Sequence, residues 1–175
     1  EEVENLAKYG SIPIINGLTD YCHPCQVLAD LMTIREHRGA LAGKKLVFIG
    51  DGNNMANSLI VGGIKMGMEV AIACPKTHQP DAEIMKWAAE NGKFTCTDDL
   101  MAACKDADVL YTDVWASMGQ EGEAEERKKV FAGYQINAEL MKVAKSDAMV
   151  LHCLPAHRGE EITEEVLEAH ANEIF

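Results

Sequence analysis

Long apolar runs, a leader-like start and dense cysteine are all missing from this 175-residue chain. No stretch approaches the roughly 18 apolar residues that a membrane-spanning helix needs. The first residues also lack the basic and then apolar order of a secretory signal. Six cysteines are too sparse for a disulfide scaffold. We therefore expect no transmembrane helix and a reducing compartment, the cytoplasm.

Positive charge is also scarce. The chain has 16 lysines and arginines against 28 aspartates and glutamates, which gives a net charge of −12. Such a field repels phosphate backbones and anionic lipids, so we expect no nucleic-acid partner and no membrane partner. The densest acidic segments, residues 121–126 and 160–168, lack a ligand-like loop spacing. Solvated helix faces are favoured there over a cation site.

What the chain does contain is a regular alternation of short apolar runs with amphipathic segments. The predicted strands are residues 12–15, 45–51, 69–74, 94–97, 109–113 and 149–153. The predicted helices are residues 27–38, 54–65, 83–90, 100–104, 122–131 and 138–144. This order is typical of a doubly wound parallel α/β sheet, Rossmann-like, with helices on both faces. The sheet is expected within residues 39–175, preceded by a partial segment of a second α/β domain.

Polar, turn-rich segments follow three of the predicted strands. They are Gly50-Asp51-Gly52-Asn53-Asn54, Asp113-Val114-Trp115-Ala116-Ser117-Met118-Gly119 and His152-Cys153-Leu154-Pro155. The carboxyl ends of parallel strands share one edge of a sheet, where ligands bind. The first segment is a poor dinucleotide fingerprint, because Met55 occupies the third glycine position. Its asparagine amides suit a polar small molecule, although helix capping alone would explain Asn53.

Single residues in these segments leave alternatives open. Asp113 closes an apolar strand, so its carboxylate pairs either with a ligand ammonium or with a structural partner. Cys153 is interpreted as a packed thiol rather than a nucleophile, since the adjacent His152 points to the opposite face of the strand.

A Cys-x-x-Cys motif, formed by Cys22 and Cys25, precedes the first long predicted helix. A redox dithiol needs a thioredoxin-like context, and the α/β pattern downstream is a different one. A zinc site needs a second pair of ligands at similar spacing, which the sequence does not contain. Incidental cysteines are the favoured interpretation, with a redox role as the main alternative.

Taken in order, His23-Pro24-Cys25-Gln26 and the three strand-end segments closely resemble the ornithine carbamoyltransferase family. The resemblance covers essentially the whole chain, and the motifs are highly specific because they occur in register. It implies transfer of the carbamoyl group of carbamoyl phosphate to the δ-amine of L-ornithine, which gives L-citrulline and phosphate. This reaction needs donors at the developing oxyanion and close positioning of two small-molecule substrates, so no metal and no organic cofactor are expected.

The resemblance also implies roles for individual residues. His23 would donate to the carbamoyl oxygen, and Gln26 would hold the carbamoyl amine. Asp113 would pair with the α-ammonium of ornithine. The other implied ornithine-binding residues are Asn54, Ser117 and Met118. Cys153 and Leu154 would lie where the two substrates meet, with Cys153 orienting the reacting groups rather than forming a covalent intermediate.

Two features of the family pattern are missing from this chain. The chain has no S-T-R-T phosphate-binding loop, and it lacks a further arginine that the family carries in a helix packing back on the first domain. Its only arginines are Arg35, Arg38, Arg127 and Arg158. A phosphate dianion would be poorly held by this chain alone. We expect residues 1–22 to end a carbamoyl-phosphate domain, 23–38 to form an inter-domain helix, and 39–175 to form most of an ornithine domain without its final helix. Such a truncated portion would be inactive alone, and the complete protein would be a homotrimer or a multiple of trimers.

Two alternatives to ornithine transfer remain at this stage. One is a related transcarbamylase that acts on putrescine or N-acetylornithine, and the other is a non-catalytic module that binds an amino acid. The carboxylate of Asp113 favours ornithine, because putrescine has no α-amino acid head group for it to recognise.

Overall fold

The computed structural model describes residues 2–116 and 121–175 and contains one parallel sheet of five strands. The strands are β1 (Lys45–Ile49), β2 (Glu69–Ala73), β3 (Phe94–Thr97), β4 (Val109–Thr112) and β5 (Met149–His152). Their order is β3-β2-β1-β4-β5, and every neighbouring pair is parallel. This confirms the predicted doubly wound sheet. The strand order reverses between β1 and β4, the position where sheets of this type bind ligands.

Helices alternate with these strands along the chain. They are α1 (Glu2–Tyr9), α2 (Pro24–Arg38), α3 (Asn54–Lys65), α4 (Ala82–Asn91), α5 (Leu100–Cys104), α6 (Ala124–Val130), α7 (Ala138–Met141), α8 (Glu164–Ala169) and α9 (Ala171–Ile174). The bounds of α3, β3 and α5 are those predicted from the sequence. No helix within the described ranges is long and apolar enough to cross a membrane.

The predicted strand at residues 12–15 is wrong. Ile12 and Ile15 are 70% and 81% exposed, and in the part of the chain described here no strand pairs with this segment. Pro13 also has no N–H to donate to a ladder. An apolar run forms a strand only when a neighbouring strand satisfies its backbone groups, so composition alone misled the prediction.

The two faces of the sheet carry separate cores. Leu46 and Phe48 of β1 pack with α2 and α3, whereas Val47 and Ile49 pack with α5, α7 and α8 on the other side. This division follows from the alternation of side chains along a strand. Both faces are therefore covered by helices, as predicted, and the sheet edge at the carboxyl ends of the strands is left for a site.

Helix α2 is held tightly against α3. A Cβ on Gly62 would lie 2.8 Å from Cγ1 of Val27, so the absence of a side chain there permits close approach of the two helices. Pro24 begins α2, where its missing N–H leaves no helical bond unmade. The first turn of α2 is thereby packed against the last turn of α3, through Val27 and Gly62.

Candidate active site

Asn53 joins the ends of β1 and β4. Its side-chain oxygen accepts from the backbone N–H groups of Met55 and Ala56, at 3.0 and 3.2 Å, and so caps α3. Its Nδ2 donates to Oδ2 of Asp113 over 2.9 Å. The capping role predicted for Asn53 is confirmed, and the amide also fixes the position of the Asp113 carboxylate.

Asp113 is an almost fully buried carboxylate, and its hydrogen-bond donors among the described residues are neutral. It is 7% exposed, and its Oδ1 accepts from the N–H of Val114 over 2.7 Å. Among the described residues no lysine, arginine or histidine forms an ion pair with it. A buried carboxylate without a cationic partner is costly, so a ligand ammonium is the natural charge partner for Asp113.

Cys153 lies beside this carboxylate as a protonated thiol. Burial and then the nearby Asp113 carboxylate, with which the thiol is in hydrogen-bonding reach, raise the pKa of Cys153 well above the usual range of a thiol. The thiolate is the nucleophilic form, so this environment opposes covalent catalysis. The geometry instead suits a weak hydrogen-bonding contact to a substrate.

His152 faces away from Cys153, as predicted. Its Nε2 lies 3.0 Å from Oε1 of Glu161, and its Nδ1 accepts from the N–H of Leu154 over 2.8 Å. Leu154 has a left-handed backbone, with φ of 56°. The ring of His152 therefore stabilises the turn that presents Cys153 and Leu154, and it does not act as a base for the thiol.

Glu161 corrects one expectation from the sequence. The acidic segment 160–168 was expected to be solvated, but Glu161 is 0% exposed. Its Oε1 is buried because it meets His152 and also accepts from the N–H of His157 over 2.6 Å. Charge density along the chain could not reveal this, since the donors come from β5 and the turn after it.

The start of α2 is tied to the start of α3 through a chain of hydrogen bonds. The N–H of His23 donates to Oγ of Ser58 over 2.7 Å, and that hydroxyl donates to the carbonyl of Asn54 over 2.7 Å. The Nδ2 of Asn54 donates in turn to the carbonyl of Thr19 over 2.8 Å. His23 is thereby placed at the sheet edge, and its Nδ1 is buried without a partner among the described residues.

Gln26, which is half-buried, and the buried Asp30 form a hydrogen-bonded pair one turn apart on α2. The Nε2 of Gln26 donates to Oδ1 of Asp30 over 2.9 Å, and Asp30 is 5% exposed. Burial raises the pKa of Asp30 to about 6, although Gln26 and Tyr111 both act to lower it. Neither Asp30 nor Tyr111 was predicted from the sequence to belong to the site. The signals were present, because Asp30 lies four residues after Gln26 and Tyr111 lies two before Asp113.

Arg127 is a second group that sequence analysis did not place in the site. This residue of α6 is 6% exposed, and its guanidinium bonds both the carboxylate of Asp51 and the carbonyl of Trp115. Burial raises the pKa of Asp51, against the opposing effect of Arg127. The arginine therefore holds the loops after β1 and β4 together, and its spacing in α6 gave no hint of this long-range contact.

Cys22 and Cys25 are free thiols. Cys22 accepts from Nδ2 of Asn16 over 3.2 Å, and Cys25 donates to the carbonyl of Asn16 over 3.4 Å. Both sulfurs therefore stabilise the turn before α2 by weak hydrogen bonds. This arrangement is the one expected for incidental cysteines.

Metal-type ligands come together at one place in the described residues, at His157, Glu160 and Glu161, whose ligand atoms lie within 4.8 Å of one another. Glu160 already pairs with Lys128 over 3.0 Å, and Glu161 is bonded to His152. These contacts engage both acidic groups within the protein, although Oε2 of Glu161 is buried without a hydrogen-bond partner among the described residues.

The structure brings most of the predicted site residues to one edge of the sheet. These residues form two sets, each held together by hydrogen bonds and short contacts. One set is built on α2 and α3, and the other on the ends of β4 and β5. The first set contains His23, Gln26 and Asn54, and the second contains Asp113, Cys153 and Leu154. Two further predicted residues, Ser117 and Met118, lie outside the described residues.

Comparison with known proteins gives consistent matches over both parts of the chain. Residues 42–175 match the family model described as aspartate/ornithine carbamoyltransferase, Asp/Orn binding domain. Residues 1–36 match the model of the carbamoyl-P binding domain of the same family. The two matches together span nearly the entire chain.

The individual relatives compared with this chain are named ornithine carbamoyltransferase. The ornithine carbamoyltransferase of Pyrococcus horikoshii is 55% identical over 174 residues, which is 97% of this chain and 55% of the relative. That of Methanosarcina acetivorans is 53% identical, over 100% of this chain and 58% of the relative. This chain thus spans a little over half the length of these relatives.

Solved structures agree with this match. The ornithine carbamoyltransferase of Pyrococcus furiosus has a TM-score of 0.90 at 55% identity, covering 96% of this chain and 55% of that one. The anabolic ornithine carbamoyltransferase of Campylobacter jejuni has a TM-score of 0.93 at 42% identity, covering 98% of this chain and 59% of that one.

Proposed function

Because the chain belongs to the aspartate/ornithine carbamoyltransferase family, we propose that the complete protein is an ornithine carbamoyltransferase. It transfers the carbamoyl group of carbamoyl phosphate to the δ-amine of L-ornithine and releases L-citrulline and phosphate. The observation that carries this proposal is the buried Asp113 carboxylate at the strand-order reversal, whose hydrogen-bond donors among the described residues are neutral. An amino acid substrate supplies the cation that such a carboxylate needs.

The carbamoyl group binds at the start of α2. His23 donates to the carbamoyl oxygen, where negative charge develops as the amine attacks the carbon, and Gln26 accepts from the carbamoyl amine. Donors placed at a developing oxyanion stabilise the transition state more than the ground state. The hydrogen bond of His23 to Ser58 supports this role, because it holds the backbone of the donor in one position before substrate arrives.

Ornithine binds between the ends of β1, β4 and β5. Asp113 pairs with its α-ammonium, with Asn54, Ser117 and Met118 as further contacts. Cys153 and Leu154 lie where the two substrates meet. The protonated thiol of Cys153 suits a role in orienting the δ-amine without becoming a covalent intermediate.

The remaining binding groups belong to parts of the protein outside this chain. Residues 1–22 end the carbamoyl-phosphate domain, residues 23–38 connect the domains, and residues 39–175 form most of the ornithine domain. Within residues 1–36 several large apolar side chains are exposed, as expected for a segment that packs on further protein: Leu6, Tyr9, Ile12, Ile15, Leu18, Tyr21, Leu28 and Met32. The 175-residue chain alone has little or no turnover, and the complete cytoplasmic protein assembles as trimers.

Steady-state kinetics of the complete protein test this proposal. Ornithine is expected to have a higher kcat/KM than putrescine or N-acetylornithine, because only ornithine offers a free α-ammonium beside a primary δ-amine. Citrulline formation is followed with each amine at saturating carbamoyl phosphate. A higher kcat/KM for putrescine would contradict the assignment.

Replacing Cys22 and Cys25 together by serine is expected to leave kcat and both KM values of the complete protein within about twofold of wild type. Serine preserves the small polar side chain, and the two thiols make only weak hydrogen bonds to Asn16. The same kinetic assay with the double variant checks this. A large loss of activity together with a measurable dithiol potential would instead favour the redox alternative.

A further inference from the structure

We propose that Asp30 is a positioning residue that fixes the orientation of the Gln26 carboxamide, so that Gln26 presents its oxygen to the carbamoyl amine. This inference rests on the proposed function. It assigns a role to a residue that is not proposed to contact substrate, and it explains why α2 carries a buried carboxyl group.

The contact between the two side chains is direct. They lie four residues apart on one face of α2, and Nε2 of Gln26 donates to Oδ1 of Asp30 over 2.9 Å. An ionised carboxylate accepts hydrogen bonds and donates none. Only the nitrogen end of the carboxamide can therefore face Asp30, and the oxygen end is directed to the other side.

The chemistry of the substrate makes this orientation matter. The carbamoyl amine is a donor, so the residue that holds it must present an acceptor. A carboxamide turned by half a rotation would present its own NH₂ group and leave two donors facing each other. An unpaired buried donor costs binding free energy, so the orientation of Gln26 decides whether it attracts or repels the carbamoyl group.

Asp30 is poorly satisfied as a purely structural group. Its Oδ2 is buried without a hydrogen-bond partner in the described residues, and so is the hydroxyl of Tyr111. Burial raises the pKa of Asp30 to about 6 from the ordinary 3.8. A carboxyl group with a raised pKa opposes folding above that range, so a role in stabilising the fold does not account for it.

Tyr111 extends the arrangement from α2 to the end of β5. Its ring is 0% exposed, and its hydroxyl lies close enough to Asp30 and Cys153 to influence the titration of both. Burial, then Asp30 and Cys153, raise the pKa of Tyr111. The titratable groups near Asp30 are thus Tyr111, Cys153 and, beyond them, Asp113. The first two keep their protons at neutral pH.

The first experiment measures Asp30→Asn in the complete protein. Asparagine keeps the shape but can also donate, so it no longer dictates the orientation of Gln26. We expect kcat/KM for carbamoyl phosphate to fall by about 10–100-fold, with KM for ornithine within about threefold of wild type. Asp30→Glu, which restores an acceptor-only carboxylate, is expected to recover part of the loss. Equal losses for both substrates, or no loss, would overturn the proposal.

Thermal denaturation separates positioning from a structural role. Between pH 3.8 and about 6 the folded state holds the Asp30 proton more tightly than the unfolded state, so the carboxylate progressively destabilises the fold as the pH rises. Asp30→Asn is therefore expected to have a Tm at pH 7.5 that equals or exceeds that of wild type, with the gain absent at pH 4. A lower Tm at pH 7.5 in parallel with the kinetic loss would mean that Asp30 acts through the fold.

A matched control is Asp108→Asn. Asp108 is also a buried carboxylate, 7% exposed, but it pairs with Lys145 over 2.7 Å at the opposite end of β4. Burial raises the pKa of Asp108, but hydrogen bonds to Lys145 and Lys45 bring it below its ordinary value. The substitution is therefore expected to lower the Tm and to leave both KM values unchanged. If the wild-type protein made no citrulline, the proposed function itself would fail. Normal wild-type turnover with an unaffected Asp30→Asn variant would remove only the role of Asp30.

Discussion

Replacing Asp113 by asparagine is expected to lower kcat/KM for ornithine by about 10²–10³-fold and to leave KM for carbamoyl phosphate near its wild-type value. Asparagine can still accept from the N–H of Val114, but its NH₂ group then replaces the oxygen that accepts from Nδ2 of Asn53. The variant thus loses that hydrogen bond together with the negative charge proposed to pair with the α-ammonium. Initial rates measured over a range of each substrate separate the two KM values.

The same variant has a second expected effect that requires no substrate. Burial and the Asp113 carboxylate raise the pKa of Cys153, and removing the charge removes the second of these causes. The rate of Cys153 alkylation at a fixed alkaline pH is expected to rise in Asp113→Asn, since a lower pKa leaves a larger fraction of Cys153 as thiolate. Asp108→Asn, which removes a carboxylate from the far end of the same strand, serves as the control. An unchanged kcat/KM for ornithine in Asp113→Asn would refute the role of Asp113 as the ammonium partner.

Replacing Arg127 by alanine is expected to lower the free energy of unfolding by about 3–5 kcal/mol. The guanidinium is buried between the loops after β1 and β4, where it bonds Asp51 and the carbonyl of Trp115 and lies 5.2 Å from the centre of the Phe131 ring. Without it, Asp51 would be a largely buried charge with no ion-pair partner among the described residues. Urea denaturation of the complete protein, monitored by tryptophan fluorescence, measures the loss.

Two comparisons test whether the Asp51 pair is the cause. Lys128→Ala removes the next residue of α6, which makes exposed pairs with Glu125 and Glu160, and should cost far less than Arg127→Ala. The deficit of Arg127→Ala should also shrink from pH 8 to pH 5. Burial raises the pKa of Asp51, and loss of the arginine raises it further, so protonation removes the unpaired charge as the pH falls. A deficit that is the same at both pH values would point to lost packing instead.

The order of the fold could be predicted because each element carries its own signal. The continuous apolar run that forms β1 and the helical spacing that forms α3 are local patterns, and Asn53 is a local cap between them. The strand predicted at residues 12–15 failed for the complementary reason. Its existence depended on a partner strand, and nothing within the segment shows whether one is present.

The site divides in the same way. The positions of His23, Gln26, Asp113 and Cys153 could be predicted, since motif order and the convergence of strand ends in a parallel sheet bring them to one edge. The roles of Arg127 and Glu161 could not. Arg127 reaches a carboxylate 76 positions earlier in the chain, and Glu161 is buried by a histidine from β5.

By itself, the sequence determined the sheet, the alternation of helices and the set of groups that we propose to bind two small substrates. These depend on periodicity and on the chemistry of residues close in the chain. Only the tertiary structure decided which carboxylates are buried and which have a cationic partner, as with Asp30, Asp51 and Asp113. The energy of a carboxylate depends on its burial and on the charges within a few ångströms of it. Those neighbours come from helices and strands far apart in the sequence, and folding alone brings them together.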